Sequence, residues 1–128
     1  MVKMAETFVA EYGMQDRMSV IGGDYTSDPL GEDYDLILAS ATLNFAADDL
    51  GPMMRKIHQA LKPGRVFVSL VEGITHEGTR PPDLILENLV NALWGRGKLF
   101  EKGEIARTME QAGFSSVESR TVPTPCVL

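Results

Sequence analysis

Cysteine is almost missing from this chain: Cys126 is its only one among 128 residues. No internal disulfide framework is possible, and a reducing, cytoplasmic setting is the expectation. Basic residues are also in short supply, 12 against 18 acidic, giving a net charge of −6 with no Lys/Arg cluster. That balance excludes phosphate-backbone binding as the main activity, so no nucleic-acid partner is expected. No apolar run approaches the length of a membrane span, so no membrane partner is expected either. The N-terminal MVKMAETF carries Glu6 early and has no signal-peptide core. Internal repeats and low-complexity segments are absent, and no metal site is read from the sequence. What remains is a small molecule or another protein as partner.

The chain is 44% hydrophobic and 23% charged, ordinary for one globular domain that buries roughly two-thirds of its unfolded surface. A single domain over residues 1–128 is the expectation. Its organising stretch is YDLILASATLNFAADD, Tyr34 to Asp49. Tyr34 to Ser40 reads as a strand buried on both faces. The chain then turns small and polar at Ser40, Thr42 and Asn44 before an Asp pair placed to cap a helix. A strand ending this way is where open α/β sheets hold ligands.

The remaining elements follow from periodicity and punctuation. Ala5, Phe8, Val9 and Tyr12 predict a helix over 2–12 with Gly13 as its C-cap. RMSVIGGDY, residues 17–25, predicts a strand centred on Met18–Ile21, and 26–33 a Pro/Gly loop. Leu50, Met53, Met54, Ile57 and Leu61 set out the clearest helix, 48–61, with Pro52 in its first turn and Pro63-Gly64 ending it. Arg65 to Val71 predicts a second buried strand, closing in Glu72, with a loop at 73–82. Residues 83–94 predict a helix with too few polar positions for a solvated face. A last helix spans 101–112, with Ile105 and Met109 inward, Gly113 as C-cap and Phe114 as the contact after it, followed by a strand at Val117–Val122. Buried strands alternating with helices imply a mainly parallel α/β sheet. One join is unusual: about nine residues and no helix link the first two strands, where parallel neighbours need a dozen or more.

The run DRMSVIGGDY…DYDLILASATLNFAADDL…MMRKIHQALKPGRVFVSLVEG…FEKGEIARTMEQAGFSSVESR resembles the C-terminal portion of a class I S-adenosylmethionine-dependent methyltransferase, in its small-molecule O-methyltransferase branch. The resemblance rests on the Gly-Asp after the first strand, ALKPG before a strand closing in Val-Glu, and QAGF before the last strand. It implies a partial Rossmann-like fold that lacks its first strands. It also implies S-adenosylmethionine as cofactor, with Asp24 an acceptor for the adenine amino group, Tyr25 a neighbouring wall, and Ala39 and Ser40 lining the same pocket. Asn44 stands where many members carry a catalytic His, Glu72 where a glutamate orients that base, and Leu99 where a second glutamate lies. An amide has no useful pKa near neutrality, so Asn44 does not serve as a general base. The family's Gly-rich loop and its ribose-binding acid have no counterpart, which leaves too few contacts for the ribose and methionine moieties. In the family fold the missing strands lie between the first two present here, so open sheet edges or the 83–94 helix are expected to pair with a second copy. The rival expectation is a non-catalytic, dimerising relic of such a domain. A phospho-receiver domain is disfavoured because the 65–71 strand ends in Glu72 with no Lys.

Overall fold

The structure, a computed structural model, describes residues 1–95 and 97–122, apart from the side chain of Ala47. Cys126 lies outside the described residues. In order, the chain forms α1 (Val2–Glu11), β1 (Tyr34–Ser40), a 3-10 turn over Leu43–Asp49, α2 (Leu50–Ala60) and β2 (Leu61–Leu70). Then come β3 (Gly73–Ile74), α3 (Pro82–Glu87), α4 (Leu89–Leu93), β4 (Phe100–Glu101) and α5 (Glu104–Gln111). Both strand pairs are parallel, β1 with β2 and β3 with β4. The parallel α/β architecture expected from the sequence is present.

The core lies on one side of β1–β2. Leu50, Met53, Met54, Ile57 and Ala60 of α2 are buried together with Leu43, Ala46, Phe67 and Phe100. Ile105, Met109, Ala112 and Phe114 close this cluster from α5 and its end. The α5 terminus is a full Schellman motif: Phe114 N–H donates to Met109 O at 3.1 Å and Gly113 N–H to Glu110 O at 3.1 Å. Gly113 adopts φ +103°, a conformation that favours glycine, and the turn delivers Phe114 to Phe67 and to His58, whose ring it meets edge-on at 4.8 Å. His58, though exposed, therefore has an aromatic contact.

The helix α2 ends where Pro63 forces extended backbone before it. The chain then loops out over Lys62–Arg65 before resuming the ladder, Leu36 opposite Val66 and Ser40 opposite Leu70. Asp35 holds this loop, with Lys62 Nζ at 3.1 Å and Arg65 Nε at 3.0 Å from its carboxylate.

Several expectations are corrected. Residues 17–25 form no strand: they have no partner to complete a ladder, and Ile21 is 85% exposed. Val117–Val122 is likewise not a strand. The β1 and β2 strands are not buried on both faces; Leu36, Leu38, Val66, Val68 and Leu70 are exposed, because no described element covers that side. The 83–94 helix is two short helices meeting at Asn88. Asp49 occupies the N-cap of α2 but makes no side-chain cap bond. The 101–112 helix starts only at Glu104, after Gly103. Its expected first residues, and part of the 73–82 loop, instead build the β3–β4 pair.

Candidate functional site

The carboxyl ends of β1 and β2 lie side by side, since Ser40 pairs with Leu70. The chain leaving β1 stays on this rim: Ala41 N–H donates to Leu70 O at 2.9 Å. Thr42 Oγ1 donates to Ser40 O at 2.9 Å, which turns the chain into the 3-10 segment.

The third piece of the rim arrives by side-chain contacts rather than through the sheet. The Tyr25 hydroxyl donates to Thr42 O at 2.9 Å, and Lys56 Nζ of α2 donates to Tyr25 O at 2.9 Å. Burial raises the Tyr25 pKa, with the nearby Asp24 charge adding to the effect, so the phenol stays a donor at neutral pH. Asp24 itself sits in an Asx turn, accepting from Thr26 Oγ1 at 2.6 Å and from Thr26 N–H at 2.9 Å through Oδ1. Those Thr26 bonds hold its carboxyl below the usual carboxylate range. Asp28 Oδ2 accepts from Asp24 N–H at 2.8 Å. A Cβ on Gly23 would stand 2.9 Å from that same oxygen, so a side chain at 23 would push the Asp28 carboxylate aside.

The structure therefore ties the Tyr25 hydroxyl to the rim that Ala39 and Ser40 lead into, with Asp24 next to Tyr25 in the chain; Asp24 and Ser40 are exposed and Tyr25 and Ala39 half-buried. Asn44 follows in the 3-10 segment and is engaged twice by the same neighbour. Its Nδ2 donates to Lys98 O at 2.8 Å, and Lys98 N–H donates to Asn44 O at 3.0 Å. Glu72 is exposed just beyond the end of β2.

Residue-by-residue reading missed a second polar cluster. The β3–β4 pairing sets Glu101 and Lys102 beside Thr75, His76 and Glu77, around a depression of about 220 Å³. His76 Nδ1 lies 2.9 Å from Thr75 Oγ1. Two-residue strands leave almost no periodic trace, so nothing in the sequence could signal this pairing. Among the described residues, no group of three or more His, Cys, Asp or Glu is placed to hold a metal ion. No helix of the described residues is long and apolar enough to cross a membrane.

Comparison with known proteins places this geometry in context. Residues 1–115 match the sequence profile of the O-methyltransferase domain. The tetracenomycin polyketide synthesis 8-O-methyl transferase of Streptomyces glaucescens is 28% identical over 115 residues, covering 88% of this chain and 34% of that protein. A candidate O-methyltransferase of Nostoc punctiforme has a solved structure that superposes with a TM-score of 0.81 at 24% identity, covering 96% of this chain and 38% of that one. The S-adenosylmethionine-dependent methyltransferase SibL in its apo form gives the same TM-score at 21% identity, covering 96% and 37%. The chain thus spans about a third of the length of the curated relative and of the solved structures that it matches.

Proposed function

This chain belongs to the O-methyltransferase family, and on that premise we propose that it serves S-adenosylmethionine-dependent methyl transfer to a hydroxyl of a small-molecule acceptor. The observation that carries the reading is the bond from the Tyr25 hydroxyl to Thr42 O. It ties Tyr25, next in the chain to Asp24, to the turn that follows Ala39 and Ser40, at the carboxyl end of a parallel strand, where α/β sheets bind nucleotide-like ligands.

These residues fit the adenine end of the cofactor. Asp24 is exposed and held ionised, and Oδ1 takes both Thr26 donors. An exposed, ionised carboxylate can accept from the exocyclic amine of adenine. Bound S-adenosylmethionine would supply an electrophilic methyl group on a sulfonium. Ser40 and Ala39 would wall the purine, and Asn44 and Glu72 would stand on the acceptor side. Asn44 takes no proton there. Its Nδ2 is committed to Lys98 O, so Oδ1 can accept a hydrogen bond that aims an acceptor hydroxyl. The work left to these residues is alignment, which counts most where the acceptor oxygen arrives already ionised.

Calorimetric titration with S-adenosylhomocysteine tests the reading. We expect saturable binding that Asp24→Ala weakens about tenfold, the loss of one charge-assisted hydrogen bond. No saturable binding, or binding indifferent to Asp24→Ala, would remove the adenine-side assignment.

A further inference from the structure

No described strand contains Asp24 or Tyr25, so the place of their turn relative to the rim depends on side-chain bonds. One is the Tyr25 hydroxyl on Thr42 O. Another comes from α2, where Lys56 Nζ donates to Tyr25 O at 2.9 Å and to Thr26 O at 3.4 Å. We propose that Lys56 is a positioning residue whose ammonium closes the turn that presents Asp24. Its consequence for binding rests on the adenine-side reading of Asp24; its effect on the turn does not.

The bonds within the turn show what the ammonium adds. Asp24 O accepts from Ser27 N–H at 3.2 Å and from Asp28 N–H at 2.7 Å, a single helix-like turn. At its start, Asp24 Oδ1 takes the Thr26 N–H and Asp28 Oδ2 takes the Asp24 N–H. The next carbonyls, of Tyr25 and Thr26, are of the kind a helical turn leaves without partners at its end. They converge on one cation, the charge that the end of such a turn favours. Asp24 thus caps one end of the turn and Lys56 the other.

Lys56 is used differently from Lys62 and Lys98, which meet the carboxylates of Asp35 and Glu104. It is half-buried, and its donors go to main-chain carbonyls 31 and 30 positions away. A half-buried ammonium needs partners, and these partners pin a loop to a helix. That helix is a fixed reference, because Met53, Met54 and Ile57 around Lys56 are buried. Tyr25 and Leu30 also pack against the core, but apolar contact is non-directional and does not orient the turn. The charge reaches Asp24 as well: the Thr26 bonds hold its carboxyl low, and Lys56 adds to that.

NMR titration of the Asp24 carboxyl and amide exchange, both on the whole ligand-free chain, test the turn. Lys56→Met keeps an apolar stem and removes the charge. It should raise the Asp24 pKa and speed exchange at the Ser27 and Asp28 amides about tenfold. Lys56→Arg should restore both, and Arg55→Gln, which removes a like charge from the same helix, should change neither. Because Lys56→Met could unfold, the unsubstituted chain gives an independent reading: the Lys56 ammonium protons should exchange more slowly than those of exposed Lys3. In calorimetry with S-adenosylhomocysteine, Lys56→Met should weaken binding about fivefold. It should have no further effect when Asp24 is already Ala, since it acts through that carboxylate. An unaltered turn in Lys56→Met overturns the proposal, as do Lys56 ammonium protons no slower than those of Lys3. So does a loss of affinity that is as large without Asp24 as with it. An altered turn in a chain that binds no S-adenosylhomocysteine removes the adenine reading and leaves the positioning of the turn supported.

Discussion

The two sides of β1–β2 are built from similar residues and end in opposite states. On one side Phe67 is buried against α2 and the Phe114 turn; on the other, Leu36, Leu38, Val66 and Val68 stay exposed. Strand propensity and hydrophobicity do not separate these positions. The difference is an available covering layer, which α2 and α5 provide on one side and no described element provides on the other. An apolar strand pattern therefore records which surface must be covered, and leaves open what covers it.

Paired truncations across the sheet break this comparison most directly. Met54 is fully buried at the centre of α2, and Met54→Ala should cost about 2–5 kcal/mol in denaturant unfolding. Leu38→Ala should cost less than about 1 kcal/mol, since half or more of that side chain already meets water. Equal losses at the two positions would mean that the bare face is packed in the monomer.

The same contrast explains what the sequence disclosed. The α2 helix was legible because its apolar residues repeat one period, and the Leu50–Ile57 stripe is buried as its spacing implies; β1 and the core of β2 were legible as short apolar runs. The Gly113–Phe114 ending was legible because a Schellman turn needs a glycine and then an apolar contact in that order. The 17–25 and 117–122 strands were misread because a strand exists only with a partner, and the pattern of one segment cannot supply it. The rim was half legible: the small polar residues after Leu38 marked the place. The clasp from Tyr25 to Thr42 is a contact between residues 17 positions apart, and no local pattern encodes it.

A smaller effect sharpens the covered side. The Schellman turn that brings Phe114 onto Phe67 requires φ +103° at Gly113. Its Cβ would lie 3.5 Å from the His58 ring, an ordinary contact. Space is therefore not the obstacle to Gly113→Ala; backbone strain is. The expected cost is about 1 kcal/mol, read from the shift of the denaturation midpoint at unchanged slope. A neutral result would show that the turn does not set the position of Phe114.

The smallest expected effect concerns the strap that ties β4 and α5 to the covered side. Burial pushes the Glu104 pKa up, but it is outweighed by the Lys98 hydrogen bond and the Glu101 N–H, so the net shift is downward. Lys98 Nζ stands 2.5 Å from Oε1, and Glu101 N–H donates to Oε2 at 3.0 Å. A carboxyl whose folded pKa lies below its unfolded value adds stability above the unfolded pKa of about 4.3. That contribution fades as pH falls through the lower, folded value. Lys98 is half exposed, so solvent screening keeps the pair to about 1 kcal/mol or less. Glu104→Gln should therefore lower stability slightly at pH 7, and the two proteins should converge once the pH falls below the depressed folded value. The same salt bridge anchors the segment whose Lys98 carbonyl accepts from Asn44. If Glu104→Gln also shifts the Asn44 side-chain amide resonances, the strap reaches the candidate site. If they stay put, the backbone bond from Lys98 N–H to Asn44 O is enough to hold Asn44 in place.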